Sequence, residues 1–398
     1  MREQLAVTPV PAVVVGGSLN ALGVARSLAR GRVPVVVLDT TRHCPAAWSR
    51  YCSFRRVPSL EGEPLIDVLV RLASDLACRP VLILTHDGSV QAVSAFRQRL
   101  EPHYRIDLPP AAMVEALADK TRFHELAQEK GFAVPRSRTV RSVVDLDGIG
   151  ELTPPLILKP ADKTRVLAGL VERIVSADSI LQARAAAVQM LGRVPALIVQ
   201  EWVEGPDTEI FFALFSCDGD GKVMGIFPGR KLVCSPPAFG STAVCIAAPE
   251  AAGELRYETQ RFVELIGYKG LGSLEFKRDT RSGRLLIIEP TVGRSDWQEE
   301  IATLCGVNLP LMAYRAALGT SVPDDEVALA PGAWRSERQF RVARSLLPHG
   351  TRVVDGYFRW SDPVPALYYY AFERFALRVW HRAVRLTRRA SRHIAEAH

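Results

Sequence analysis

Hydrophobic and polar positions along the chain switch between two periods, and the switches mark its elements. Ala12–Val15 is an unbroken apolar run, as in a strand buried on both faces. The turn Gly16-Gly17-Ser18 follows, then a helical pattern over Leu22–Ala29 and a second apolar run, Pro34–Leu38, ending at Asp39. This is a βαβ unit. A further unit is predicted from a helix over Ile66–Ala77, a strand over Pro80–Thr85 and the loop His86-Asp87-Gly88-Ser89. From Ala111 the pattern becomes one helix running to Lys130, closed by Gly131 and Pro135. Short strands come next: Leu156–Leu158, Ala196–Gln200, Glu209–Ser216 and Lys222–Phe227, the last two joined through the turn Asp218-Gly219-Asp220-Gly221.

Two more β-rich segments, Leu271–Phe276 and Leu285–Ile288, flank a polar stretch with Asp279, Ser282 and Gly283, which predicts an antiparallel hairpin. Each arm carries one glutamate. A turn centred near Ser282 sets Glu275 opposite Glu289 on one face, with Cβ atoms about 5 Å apart. Two carboxylates so placed repel, and a hard divalent cation between them relieves that repulsion. Mg²⁺ takes one or two protein carboxylates and completes its shell with water and phosphate oxygens. The plain alternative is two solvated strand glutamates.

The glycine turn after the first strand invites comparison with dinucleotide sites, with Asp39 as the ribose acid. Its spacing is GGSLNALG and not G-x-G-x-x-G, so that fingerprint fails. Ser18, Leu19 and Asn20 at the helix start remain substrate candidates. His86 and Asp87, after a strand end, either face a ligand cleft or cap the next helix. Lys159 closes an apolar strand just before Pro160, so its ammonium projects from a rigid element, as suits a phosphate.

Composition narrows the classes. With 398 residues and 48% hydrophobic content the chain is long enough for two or three cored domains. Its 7 cysteines include no CxxC pair, which fits a reduced, cytoplasmic protein. No apolar run approaches the roughly 20 residues that span a bilayer. The formal charge of +7 is concentrated at the end: from Val364 onward there are 7 arginines against 2 glutamates. Over Ala366–Ala395 the residues Tyr368, Phe372, Phe375, Val379, Ala383 and Leu386 share one helical face, and arginines line the flank. An aromatic face beside an arginine face suits an interfacial helix on anionic lipid at the inner membrane surface. A helix packed on its own domain or on a second copy in a homodimer is the alternative. Nucleic acid is not expected, because aromatics and arginines occupy separate faces and no recognised module is present.

Three motifs occur in order: LILKP (Leu156–Pro160), QEWVEGPD (Gln200–Asp207) and the glutamate hairpin. In that order and spacing the chain resembles ATP-grasp ligases, from about Val13 to about Leu318. The resemblance implies an α/β chain: a Rossmann-like pre-ATP-grasp domain over residues 1–110, a two-lobed α+β ATP-grasp domain (111–195 and 196–320), and a C-terminal helical extension (321–398). It implies ATP with Mg²⁺ or Mn²⁺. Lys120 of the Asp119-Lys120 pair and Lys159 would hold the phosphates, under a loop over Ala161–Gly169 carrying Lys163 and Arg165. Backbone groups of Glu201 and Val203 would read adenine, with Trp202 packed in the core or over the base. Asp207, or its competitor Glu209, would hold the ribose.

The resemblance also implies that Arg230 and Lys231 border the acyl-acceptor side, for phosphate or substrate carboxylate. Glu275 and Glu289 match the metal carboxylates. The family usually continues E-x-N-x-R, whereas this chain reads Glu289-Pro290-Thr291-Val292-Gly293-Arg294. Thr291 thus replaces the asparagine ligand, and Arg294, one residue late, is placed to stabilise an acyl phosphate, with Asp296 nearby. The implied activity activates a carboxylate as its acyl phosphate and passes it to an amine, both small molecules, with the acceptor on a membrane or envelope carrier if the tail binds lipid. The alternatives are a carbamoyl-phosphate-synthase-like or carboxylase-like enzyme, and a membrane scaffold that binds ATP without turnover.

Overall fold

The computed structural model describes residues 9–161, 174–238, 240–320 and 329–373. Strands β1 (Ala12–Val15), β2 (Val35–Asp39), β3 (Ser53–Arg56) and β4 (Val81–Leu84) form a parallel sheet in the order β3-β2-β1-β4. The apolar runs of β1, β2 and β4 are buried throughout, as expected of parallel strands covered on both faces. The helix Leu19–Ala29 buries nearly its whole length, from Leu19 to Leu28. Because β2 and β4 leave β1 on opposite sides, the chain reverses direction between β1 and β4, the place where open α/β sheets form a crevice. Gly16 makes the exit from β1 possible: its φ is +103°, and a Cβ there would lie 2.3 Å from Thr85 Oγ1 at the end of β4.

The single helix expected over Ala111–Lys130 is two helices, Ala111–Ala118 and Lys120–Glu129. Asp119 breaks them. It adopts an extended conformation and its carboxylate accepts from the N–H groups of Thr121 and Arg122, an N-cap that makes Lys120 the first residue of the new helix.

A small antiparallel sheet follows, with β5 (Ser137–Val140), β6 (Leu156–Pro160), β7 (Val175–Ala177) and β8 (Leu197–Glu201) in the order β5-β8-β6-β7. The helix Ile180–Leu191 packs Ala183, Ala187 and Met190 into a core of its own with Leu156, Leu158, Leu197 and Val199. The expected lobe boundary at residue 195 therefore falls inside this unit, since β8 belongs to its sheet.

The largest sheet contains β9 (Ile210–Cys217), β10 (Val223–Ser235), β11 (Ser241–Ala247), β12 (Gly270–Arg278), β13 (Leu285–Val292), β14 (Ala333–Arg335) and β15 (Val353–Asp355), in the order β13-β12-β9-β10-β11-β14-β15. Alternation along β9 splits its side chains between two cores. Phe211 and Phe215 join Phe262 and Val263 of the helix Ala252–Ile266. Phe212 and Leu214 join Leu309 and Ala313 of the helix Leu309–Ala317 and residues of the first helix. β14 and β15 come from the region expected as a C-terminal helical extension, so this part of the extension completes the sheet instead. The last described element is a helical turn, Val364–Tyr368, continued to Glu373; the rest of the expected terminal helix lies outside the described residues.

Candidate active site

The hairpin forms in the expected register. β12 pairs antiparallel with β13 so that Glu275 faces Glu289 and Ser273 faces Thr291, with a bulge only beyond Glu275. β9 and β10 extend the same face. Glu275 is opposite Phe212, and Phe212 is opposite Gly229, so Lys231, two residues along β10, turns the same way. One face of the sheet thus gathers Lys231, Ser273, Glu275, Glu289 and Thr291.

Each glutamate holds an ammonium. Lys231 Nζ lies 2.5 Å from Glu275 Oε2, and its side chain is only 5% exposed. Burial pulls the Lys231 pKa down, but Glu275, Cys234 and Asp296 outweigh it, so the group is held above its ordinary value and stays charged. From the capped start of its helix, Lys120 reaches Glu289 Oε2 at 3.1 Å. Arg230, adjacent in sequence to Lys231, does not join this cluster. Strand alternation points it to the opposite face, where it pairs with Glu250 at 3.2 Å and lies over the Phe211 ring.

Arg294 Nε donates to Asp87 Oδ1 at 2.5 Å, tying the end of the hairpin to the start of the helix Asp87–Ala95. Asp296 accepts from Ser273 Oγ at 2.9 Å and from Gln298 Nε2 at 3.0 Å. Between them Ser295 is locked to the first sheet: its N–H donates to Leu84 O, and Asn20 Nδ2 donates to its carbonyl. Asn20 and Leu19 are therefore buried structural residues, not substrate contacts, and only Ser18 of that trio is exposed.

On the small sheet, Lys159 Nζ donates to Gln200 Oε1 at 3.2 Å. His124, one helical turn beyond Lys120, is buried, and no bond to its Nδ1 is formed. Burial first, then the charges of Lys159 and Lys120, lower its pKa to about 4, so the imidazole is neutral near pH 7. This residue was not legible as part of the site, because a helical histidine carries no motif. Lys277, a lone lysine on β12, likewise belongs to no motif and was missed. It lies on the Glu275 face with its Nζ 4.1 Å from the centre of the Trp202 ring, and burial lowers its pKa.

Glu201 and Trp202 use their N–H groups on Arg136 O and Pro155 O, which fixes the chain where it leaves β8, and Val203 is buried. The Glu201 carboxylate accepts from Thr153 N–H and pairs with Arg136 at 3.3 Å. Asp207, expected as the ribose acid, instead accepts from Cys234 N–H at 2.7 Å and Ala238 N–H at 2.9 Å, anchoring the loop after β10. Glu209, its competitor, ends the turn Asp207–Glu209 and is half-buried. Lys163 and Arg165 lie outside the described residues.

The donor set fits a hard divalent cation. No group of three or more His, Cys, Asp or Glu that could hold a metal exists among the described residues. Two opposed carboxylates do, each already holding a cationic nitrogen, and the hydroxyl oxygen of Thr291 lies on the same face. Such a partial oxygen shell suits Mg²⁺ that shares its remaining positions with phosphate and water.

This arrangement, a parallel domain followed by two antiparallel lobes that bring lysines and a glutamate hairpin together, is the ATP-grasp fold. Comparisons with known proteins agree. Over 316 residues, 75% of this chain and 74% of the relative, it is 25% identical to the D-aspartate ligase of Enterococcus faecium (strain Aus0004). Among solved structures it is similar to the N5-carboxyaminoimidazole synthetase of Staphylococcus aureus complexed with ADP, with a TM-score of 0.62 and 15% identity over 79% of this chain and 78% of the other. It is also similar to the L-amino acid ligase of Bacillus licheniformis, at a TM-score of 0.57 and 17% identity over 77% and 74% of the two chains. No family model matches the chain.

Proposed function

We propose that this protein is an ATP-dependent carboxylate–amine ligase that activates the carboxylate of an amino acid. The observation that carries the reading is the opposition of Glu275 and Glu289, each neutralised by a lysine and bordered by Arg294. That is the charge pattern phosphoryl transfer needs, since such transfers depend on positioning and charge neutralisation and require no side-chain nucleophile. The relatives that join amino acids support the substrate class.

Lys159 and Lys120 bind the phosphates of ATP, and the backbone from Glu201 to Val203 holds adenine. Glu275, Glu289 and Thr291 would hold Mg²⁺, which supplies charge neutralisation between the phosphates. The substrate carboxylate oxygen attacks the γ-phosphorus as the bond to the β-phosphate oxygen breaks, giving ADP and an acyl phosphate. Arg294 and Lys231 stabilise the anion that develops there. The amine then attacks the acyl carbon, phosphate leaves with the C–O electron pair, and the nitrogen loses a proton. A phosphate-release assay over a library of L- and D-amino acids and amines tests this reading: ADP formation dependent on one acid and one amine is expected. Nucleotide binding without turnover on any combination would favour an ATP-binding scaffold.

The acceptor is further proposed to be presented at an anionic membrane surface. No helix among the described residues is long and apolar enough to cross a membrane. However, Trp360, Val364 and Leu367 are exposed at 83%, 45% and 62% where the chain enters its arginine-rich end. Full-length protein should sediment with phosphatidylglycerol vesicles at low salt, and a truncation before Val364 should not. Full-length protein that ignores such vesicles at every salt concentration would rule this out.

A further inference from the structure

The parallel sheet has a ligand-sized cleft away from the glutamate hairpin. At the carboxyl ends of β2 and β3, a cleft of about 440 Å³ is lined by Thr41, Arg42, His43, Phe54 and Arg56. Among the described residues, none that lines it is acidic. The Arg42 guanidinium lies 5.7 Å from the centre of the Phe54 ring, and Arg56 Nε donates to Thr40 O at 2.9 Å, so both groups are steadied without a carboxylate. His43 is held through Nδ1 by the Tyr368 hydroxyl, and Tyr368 in turn stacks on Trp48 at 4.5 Å.

A second cleft, of about 230 Å³, shows the contrast. It is lined by Arg26, Arg30 and Arg359, but there Glu300 and Asp362 already take the charges of Arg26 and Arg359. The described contacts of the Arg42 and Arg56 guanidinium groups are instead the Phe54 ring and Thr40 O, neither of them anionic.

The position of the first cleft is informative. The crevice between β1 and β4 is filled by the hairpin's own end, through Arg294 on Asp87 and Ser295 on Leu84 and Asn20. The open space at the strand ends therefore lies two to three strands away, at roughly 12 Å from that contact.

We infer that the Arg42–His43–Arg56 cleft binds a phosphate or pyrophosphate group that anchors the amine-bearing substrate of the reaction proposed above. Two guanidinium groups suit a dianion, which each grips through paired N–H donors. The distance to Arg294 requires an extended acceptor whose amine is carried well away from its anionic end. A free amino acid is too short to occupy both places. The inference rests on the ligase reading only for the identity of the anchored molecule; the anion site is testable without turnover.

The test is calorimetric titration of inorganic pyrophosphate into full-length protein saturated with ADP, so that the nucleotide site is already filled. Wild-type protein should bind pyrophosphate, and the Arg42→Ala/Arg56→Ala double variant should bind it at least about tenfold more weakly, with unchanged ADP affinity. Uridine diphosphate and phosphatidate vesicles, added as competitors, separate a nucleotide-linked anchor from a lipid-linked one; displacement by either supports the site. Absence of pyrophosphate binding to wild type, equal binding by the double variant, or failure of both competitors to displace pyrophosphate would overturn the inference. Loss of ADP binding in wild type would instead count against the ligase reading.

Discussion

Glu275 and Glu289 occupy one rung of the same ladder, yet their surroundings differ. The lysine on Glu275 is 5% exposed and fixed on a central strand, whereas the lysine on Glu289 is 21% exposed and comes from the first turn of a helix. Sequence alone presents two carboxylates that repel and would gain from losing a charge. The structure shows each already compensated, one by a buried partner and one by a partly exposed partner. The same chemistry is therefore tied to the fold on one side of the rung and left adjustable on the other. Under the proposed function Lys120 turns from Glu289 to a phosphate as the site fills, while Lys231 holds Glu275 in place.

The largest effect should fall on turnover and should not distinguish the two residues. Glu275→Gln and Glu289→Gln are each expected to abolish ATP turnover in a phosphate-release assay, because the proposed function places the metal and phosphates on the face that both carboxylates share. Stability should separate them. Glu275→Gln strands a buried ammonium, which costs on the order of 3 kcal/mol and should lower the melting temperature markedly. An unchanged melting temperature would show that Lys231 finds another partner.

His124 tests how dry the Lys120 side is. Its folded pKa of about 4 lies below the ordinary 6.5, so the unfolded chain takes up a proton that the folded chain refuses. Its effect is absent above pH 6.5, and stability falls as the pH drops from there towards 4, at about 1.4 kcal/mol per unit. His124→Leu should flatten that slope in urea unfolding followed across this range. An equal slope in both proteins would place the titration elsewhere.

Lys159→Ala should weaken ATP binding roughly ten- to a hundredfold by calorimetry, the loss of a charged hydrogen bond worth about 1.5–3 kcal/mol. Unchanged affinity would remove Lys159 from the site. The smallest effect is expected for the stability of Glu289→Gln, within about 1 kcal/mol, as for other partly exposed pairs.

The hairpin, the order of its motifs and the parallel unit were legible because each rests on local pattern: apolar runs, turn residues and a period of two that sets register. Their products, Glu275 opposite Glu289 and Lys159 on a strand, follow directly. What was not legible depends on which face a residue takes once distant strands pair. Arg230 and Lys231 are neighbours in sequence, but β10 turns them apart. Asp207 fits the ribose position by spacing, yet its carboxylate is engaged by the backbone of a loop that begins more than twenty residues later. β3 has an exposed, polar pattern, S-F-R-R, and was not recognised as a strand at all. Edge position explains this, since β3 pairs only with β2. The cleft that Phe54 and Arg56 help to line was invisible with it.

ATP and a carboxylate that meet at the glutamate hairpin should give an acyl phosphate. Hydroxylamine traps such a species directly as a hydroxamate, whatever the natural amine. Incubating the full-length protein with ATP, Mg²⁺, hydroxylamine and individual L- and D-amino acids should give hydroxamate and ADP in equal amounts with at least one acid, and none with Glu289→Gln. ATP binding accompanied by no hydroxamate from any amino acid would show that no acyl phosphate of an amino acid forms there.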